Sequence, residues 1–401
     1  MGQTLLNEIQ RGNRTALVKQ RIITHLIYSG GMTITDLSKD MDLSVPTITK
    51  FIDEMCDEGY VVDCGKVETN GGRHPSLYGL NAKSGYFGGV EIKRDSVSIG
   101  VINFKGDVVH MEENIPLVRE DSLTYLDKLC QKIKAFIGNL DIDISKMLNI
   151  NFSIAGRVNP ETGRCYGIFD FGGTPITRLL TERLNIDTSI DNDSRCMAYA
   201  EYIQGVVRGQ KNLLFINVSW GLGMAIIIDG KLYRGTSGFA GEFGHNPGYD
   251  NQYICHCGKK GCIETEVSCM ALYRNFIERL NNGENSVLLS RMNAEDIKIE
   301  DIIKAVIDGD VLSIELVEEI GAKLGRHIGG LINIFNPEMV VLGGDLSQVG
   351  DYLLQPVMAA IRKYTLTLMY RDSDIVISEL KEKANILGTC LLSRSKLFAI
   401  D

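Results

Sequence analysis

No apolar run in the 401 residues approaches the ~20 needed to cross a bilayer. The first twenty residues, MGQTLLNEIQRGNRTALVKQ, also lack the apolar core of a secretion signal. Both absences point to a cytoplasmic protein with no membrane insertion. An excess of positive charge is missing too: 42 Lys and Arg stand against 51 Asp and Glu, a net of −9. That argues against non-specific nucleic-acid binding by the whole surface, but says little about one small domain. Ten cysteines are present, yet most, such as Cys130 and Cys196, stand alone. In a reducing compartment they read as small buried residues and not as a disulfide framework. With 44% hydrophobic and 23% charged residues, the chain has ordinary globular composition and the length for two or three domains.

The first eighty residues carry a helical pattern. RIITHLIYSG places Ile22, Ile23, Leu26 and Ile27 on one face and stops at Gly30-Gly31. TITDLSKDM opens with Thr33 three residues before Asp36, a capping-box-like entry. VPTITKFIDEMCDEG then begins with Ser44 as N-cap and Pro46 in the first turn. There Val45, Ile48, Ile52 and Met55 share a face, leaving Pro46, Thr47, Thr49 and Lys50 outward. Helix, tight turn and helix with such an exposed set match a helix-turn-helix, whose second helix reads the major groove. YVVDCG and SLYGLN follow as strands around a glycine-rich turn containing Arg73 and His74, the layout of a wing. Arg11, Arg14, Lys19 and Arg21 form a local basic cluster placed to meet phosphates. The competing reading is a small helical interaction domain, since acids and bases are about equal here.

From Gly85 the periodicity changes to strands. YFGGVEIKRDSVSIGVINFKGDVVHMEE gives three, followed by the helical SLTYLDKLCQKIKAFIG and the apolar strand MLNINFSIAG. The same order returns at Asn212 in NLLFINVSWGLGMAIIIDGKLYRG, then helices, then the strand MVVLGG. Repetition of this order predicts two homologous α/β halves around a ligand cleft. Sugar kinases and actin-like ATPases are built so. A kinase needs glycines where backbone amides cradle phosphates, and a carboxylate to orient the sugar hydroxyl. Asp193 in SIDNDSRCMAYAEY fits the carboxylate, with Asn192 beside it for a polyhydroxylated ligand; a plain N-cap turn is the alternative. Glycine is absent from the first turn, where bulky Lys93 and Arg94 stand. In the second, SWGLGM, Gly221 and Gly223 remain, but the only tryptophan, Trp220, precedes them. These side chains obstruct the close approach of a phosphate.

The segment GTSGFAGEFGHNPGYDNQYICHCGKKGCIETEVS crowds Cys255, Cys257 and Cys262 together, with Glu242 and His245 before them and Glu264 after. With His245 the cysteines make a Cys₃His set suited to tetrahedral zinc. Gly258 and Gly261 permit the tight turning required. His256 is an alternative ligand, but its position between two cysteines is expected to aim it away. Four protein ligands leave no open position, so such a zinc is structural. His245 would give one ring nitrogen to the metal and orient the other toward a ligand. A metal-free thiol cluster is the bland alternative.

These motifs together resemble the ROK family (repressors, open reading frames and sugar kinases), in its winged-helix repressor branch. The stretch from Val218 through GLGMAIIIDGKLYRGTSGFAGEFGH is similar to the family signature, CHCGKKGCIE to its zinc motif, and GGRHP to the sequence joining wing and linker. The resemblance implies a winged helix-turn-helix followed by a two-lobed actin-like, ribonuclease-H-like sugar kinase fold. The implied divisions are residues 1–82 for DNA binding, 83–200 with the C-terminal helix 385–401 for the first lobe, and 201–384 for the second, with zinc and oligomerisation helices. It implies a repressor of carbohydrate genes, binding a roughly palindromic double-stranded operator as a homodimer or homotetramer, with a sugar or sugar phosphate as effector. Carried onto matching positions, the sugar contacts are Asn192, Asp193, Glu242, His245 and Glu264, and the zinc ligands His245, Cys255, Cys257 and Cys262. The DNA contacts are expected at Arg14, Ser44, Pro46, Thr47, Thr49, Lys50, Arg73 and His74. Family kinases have Asp-x-Gly-x-Thr where this chain reads Glu91-Ile92-Lys93-Arg94-Asp95, which argues against catalysis, with Asp193 left as the equivalent of the kinase base. An active ATP-dependent sugar kinase with a DNA-binding arm is the alternative.

Overall fold

A computed structural model describes residues 5, 8, 9, 11–66 and 74–398. The chain divides into two compact units, Met1–Asp193 with Ile386–Asp401, and Ser194–Asn385.

The first unit begins with helix α1 (Arg14–Ser29), capped by the Asn13 side chain, which accepts from the Thr15 and Ala16 amides. It ends at Gly30, whose φ of 73° suits a residue without Cβ. Strand β1 (Met32–Thr33) leads to α2 (Ile34–Met41), where the N-cap half of the expected capping-box-like entry forms and Asp36 answers to the Thr33 hydroxyl. Thr33 Oγ1 accepts from the Asp36 amide at 3.2 Å and donates to the Asp36 carboxylate at 2.7 Å. Helix α3 (Val45–Asp57) starts at Ser44 with Pro46 in the first turn, and Ile48, Ile52 and Met55 are fully buried. Val45 departs from the expected face and stays 47% exposed. It lies in the first turn at the edge of the apolar stripe, about 50° from its centre at 100° per residue. Strands β2 (Val61–Lys66) and β3 (Ser76–Leu80) complete an antiparallel sheet in the order β1-β3-β2.

Lys19 corrects the reading of the basic cluster. It is 6% exposed, with its ammonium 2.6 Å from Glu58 and 3.2 Å from Glu54. Burial opposes the charge, but the hydrogen bonds and charges of Glu58 and Glu54 prevail and raise its pKa. It ties α1 to α3 and cannot also meet a phosphate. Arg21 donates to the Met41 carbonyl at 3.1 Å, while Arg11 and Arg14 remain exposed.

Next come β4 (Tyr86–Ile92), β5 (Ser96–Asn103), β6 (Val108–Pro116), α4 (Leu123–Gly138) and β7 (Met147–Ile154). A small hairpin of β8 (Arg157–Asn159) and β9 (Arg164–Tyr166), α5 (Ile176–Leu184) and β10 (Thr188–Asn192) follow. The sheet order is β10-β7-β4-β5-β6, with β10, β7 and β4 parallel and β4, β5 and β6 antiparallel. Helix α6 (Asp193–Gln204) carries the chain into the second unit.

The second unit repeats the plan. Strands β11 (Leu213–Val218), β12 (Leu222–Ile228) and β13 (Lys231–Leu232) precede helices α7 (Glu264–Val267), α8 (Cys269–Asn281), α9 (Ile299–Ile307) and α10 (Val311–Phe335). Then come β14 (Met339–Gly343), α11 (Asp351–Tyr364), α12 (Thr367–Asp372) and β15 (Asp374–Ile377). The order β13-β12-β11-β14-β15 matches the first sheet strand for strand, antiparallel on one side of the entering strand and parallel on the other. The sequence repeat is therefore a structural repeat. Helix α10 packs closely on α11: a Cβ on Gly325 would lie 2.4 Å from the Val357 carbonyl oxygen. Helix α13 (Lys383–Phe398) leaves the second unit and returns to the first. Among the described residues no helix is long and apolar enough to cross a membrane.

Candidate functional site

His245 closes a single helical turn, Phe243–His245, in the long segment after β13. Phe243 is buried, and Gly244 presses so close to β12 that a Cβ would stand 2.3 Å from the Leu222 carbonyl oxygen. The histidine is therefore carried on backbone held against the sheet. The cysteine loop returns to it through bridges between Pro247 and Cys262 and between Ile254 and Lys260. Gly258 donates to the Cys255 carbonyl at 2.8 Å, closing a turn, with φ of 84°. Gly261, at φ 73°, approaches Tyr249 so closely that a Cβ would meet its carbonyl oxygen at 2.1 Å. The expectation that these glycines permit tight turning holds.

The loop brings Cys255 Sγ to 3.5 Å from His245 Nδ1 and Cys257 Sγ to 3.7 Å from Cys262 Sγ. The four ligand atoms lie within 4.8 Å of one another, a group able to hold a metal ion. Burial pushes the Cys255 thiol up, whereas at Cys257 the Lys259 amide and the neighbouring thiols outweigh burial and bring it down. The other His245 nitrogen, Nε2, is 3.6 Å from the Glu242 carboxylate.

His256 does not aim away as expected. Its Nδ1 is 2.9 Å from Glu264 Oε1, and its ring centroid is 5.0 Å from that of His245. The reason is the turn at Cys255–Gly258: sequence neighbours alternate sides on an extended strand but not through a turn. His245, His256 and Glu264 form a second, overlapping group with metal-ligand spacing.

Glu264 opens α7 and is 3% exposed. Its Oε2 accepts from the Leu222 amide at 2.9 Å, and its Oε1 is 3.4 Å from Cys255 Sγ. Burial disfavours this carboxylate's charge, but the hydrogen bonds from His256 and Leu222 prevail and lower its pKa. Sequence reasoning missed why Gly221 is a glycine: a Cβ there would sit 2.6 Å from Glu264 Oε2. Beside this turn Trp220 is 46% exposed, its ring centroid 6.3 Å from that of Tyr273.

Asn192 and Asp193 belong to the first unit, Glu242, His245 and Glu264 to the second. Asn192 ends β10 and Asp193 opens α6, as the sequence indicates. Asn192 Nδ2 donates to Asp193 Oδ1 at 2.8 Å and to the Gly156 carbonyl at 3.1 Å. In the β4–β5 turn, Lys93 Nζ is 3.1 Å from Asn114 Oδ1 and 3.7 Å from Glu91.

On the winged helix, Arg14, Ser44, Pro46, Lys50 and His74 are exposed, and Thr47 and Thr49 are half-buried. Thr49 Oγ1 donates to the Val45 carbonyl at 2.9 Å, and the Ser44 and Thr47 hydroxyls bond each other at 2.8 Å. Lys50 leaves 74% of its side chain open, 3.9 Å from Glu54. Arg73 lies outside the described residues.

Residues 18–62 match a winged helix-turn-helix DNA-binding family, and residues 87–396 match the ROK family. The chain is 30% identical over 387 residues to the xylose repressor of Caldicellulosiruptor bescii, covering 96% of this chain and 95% of that one. It resembles the crystal structure of a ROK family transcriptional regulator, a homologue of the Escherichia coli Mlc protein, with TM-score 0.79 and 26% identity over 96% of this chain and 98% of that one. A Streptomyces griseus ROK family glucokinase, in complex with glucose and AMPPNP, matches with TM-score 0.69 and 25% identity, covering 78% of this chain and all of that one (100%). With a winged helix preceding a ROK match that runs through most of its length, the chain belongs to the ROK family.

Proposed function

We propose that this protein is a sequence-specific DNA-binding repressor of carbohydrate-utilisation genes, controlled by a sugar or sugar phosphate. The observation that carries the reading is coverage. Likeness to a xylose repressor and to a ROK transcriptional regulator extends through the winged helix, whereas the glucokinase likeness covers 78% of the chain. DNA is read by the exposed N-terminal part of α3, through Ser44, Pro46, Thr47, Thr49 and Lys50. Arg14, Arg73 and His74 contact the flanking backbone or minor groove. In this reading the sugar contacts are Asn192, Asp193, Glu242, His245 and Glu264. The working division remains 1–82, 83–200 with 385–401, and 201–384, acting as a cytoplasmic homodimer or homotetramer on a roughly palindromic operator.

His245, Cys255, Cys257 and Cys262 hold a structural zinc in this reading. Bonds of about 2.3 Å to sulfur and 2.0–2.1 Å to nitrogen, at tetrahedral angles, put ligand atoms roughly 3.8 Å (S to S) and 3.6 Å (S to N) apart. The separations of 3.7 Å and 3.5 Å fit that ion. A closed set of four ligands braces the loop and offers no coordination position for substrate. His245 Nε2 and Glu242 are thereby oriented for a ligand. Lys93 and Arg94 in the first turn, and Trp220 in the second, support a chain that is not a kinase. The test is fluorescence anisotropy on candidate operators with and without a panel of sugars and sugar phosphates. Operator-specific binding that one ligand changes supports the reading, and ATP-dependent sugar phosphorylation without specific DNA binding overturns it.

A further inference from the structure

The last turns of α13 touch two distant places in the first unit at once. Lys396 Nζ is 3.4 Å from the Asp191 carboxylate and 3.2 Å from Asn151 Oδ1, and it also donates to the Ile190 carbonyl. Asp191 is completely buried, and its Oδ1 accepts from the Asn192 amide at 2.9 Å. Lys396 thus holds the carboxylate that fixes the Asn192 backbone, and Asn192 in turn holds Asp193. Two residues further, the Phe398 carbonyl accepts from Gln20 Nε2 on α1 at 2.6 Å. The Phe398 ring is 2% exposed and packs edge-on against Phe87 at 6.4 Å and Phe104 at 5.6 Å. Phe104 in turn lies 6.0 Å from Tyr60, which follows α3 in the DNA-reading domain.

We infer that α13 links the Asn192–Asp193 strand end to the DNA-reading domain, with Lys396 as the positioning residue and Gln20 as the receiving contact. The inference rests on the reading that Asn192 and Asp193 touch a sugar. Its physical basis is independent of which sugar. A buried carboxylate is held by its cation and cannot drift without a large desolvation cost, so β10 and α13 shift together or not at all. A helix is stiff over two residues, so any shift at Lys396 reaches Phe398, where α1 caps the helix's terminal carbonyl. The hydrogen bond from Gln20 and the shared aromatic packing then pass the shift to α1.

The test uses the full chain and two variants at opposite ends of the link. Lys396→Met keeps the apolar stem and removes the charge; Gln20→Ala removes the hydrogen bond without altering any proposed sugar residue. Hydrogen–deuterium exchange of the ligand-free proteins is the first readout. Lys396→Met is expected to speed exchange in α1, and Gln20→Ala to speed it in residues 188–192, each by about ten-fold for a local opening made 1.4 kcal/mol easier. If Gln20→Ala changes only α1, and Lys396→Met, where it folds, changes only β10 and α13, the link is overturned whatever sugars do. The second readout is operator affinity with and without D-xylose. Allosteric coupling of about five-fold or more in the natural chain is expected to fall below about two-fold in Gln20→Ala, with ligand-free operator affinity and xylose affinity kept. Where the natural chain responds, an unchanged response in Gln20→Ala also overturns the inference. A natural chain that binds its operator but answers to no sugar would count against the proposed function, and the exchange experiment would still decide the link.

Discussion

The Lys19 ammonium sits 2.6 Å from the Glu58 carboxylate, joining α1 to the end of α3. Because Glu54 also reaches it at 3.2 Å, the lysine is a strut of the domain and not part of its DNA surface. Lys19→Met is expected to lower stability by about 1–2 kcal/mol, the glutamates being partly exposed, and to leave the salt dependence of operator binding unchanged. Thermal unfolding and salt titrations check both. The raised pKa means the stabilisation is complete below the ordinary lysine value and is lost only as pH rises through the higher folded one. No pH dependence from this pair is expected across the neutral range.

Arg14 and Lys50 are expected to behave differently from Lys19 and from each other. Arg14→Ala should weaken binding to all DNA alike and reduce the salt slope by about one. Lys50→Ala should cost about 1–3 kcal/mol on the operator and relax its sequence preference, with sugar binding unchanged. Anisotropy against operator and scrambled duplexes separates the two.

Metal analysis of freshly purified protein is expected to give about one zinc per chain, from the four-ligand geometry. Cys257→Ala should abolish it and lower the unfolding temperature, with operator binding at low temperature retained but its sugar response lost. Full stability and sugar response without bound metal would contradict the zinc reading.

Gly221→Ala tests the crowded turn beside Glu264. The added Cβ would meet the carboxylate at 2.6 Å, so a loss of about 1–3 kcal/mol is expected, along with weaker sugar binding. Gly309→Ala, where nothing lies within 4 Å but φ is +88°, provides a strained control far from the carboxylate in sequence. Thermal shift with and without sugar distinguishes a local loss of ligand contact from general destabilisation.

Asp310 caps α10, accepting from the Ser313 amide at 3.0 Å, the Ser313 hydroxyl at 2.6 Å and the Val287 amide at 2.9 Å. Burial opposes its charge, but these hydrogen bonds prevail and lower its pKa. The stability it contributes is present above the unfolded carboxylate value of about 3.9 and is lost as pH falls through the lower folded one. Asp310→Ala should therefore cost about 1–2 kcal/mol at neutral pH, and its difference from the natural chain should shrink below about pH 4. Denaturant unfolding at both pH values measures this.

The sequence by itself determined whatever depends on local chemistry. Thr33 and Ser44 cap their helices because a hydroxyl followed by free amides does so almost wherever it occurs. The duplicated halves were legible because strand and helix periods survive in each copy, and Cys255, Cys257, Cys262 and His245 because turn glycines keep them near in sequence and in space. Tertiary structure alone decided which charges are available. Lys19 and Lys50 look alike in the sequence, yet one is buried between glutamates from another helix and the other is open to solvent. His256 was misjudged because its direction depends on the turn that holds it. Lys396 could not be read at all, since its partner Asp191 is over two hundred residues away. Long-range pairing is set by how elements pack, and no local pattern encodes it.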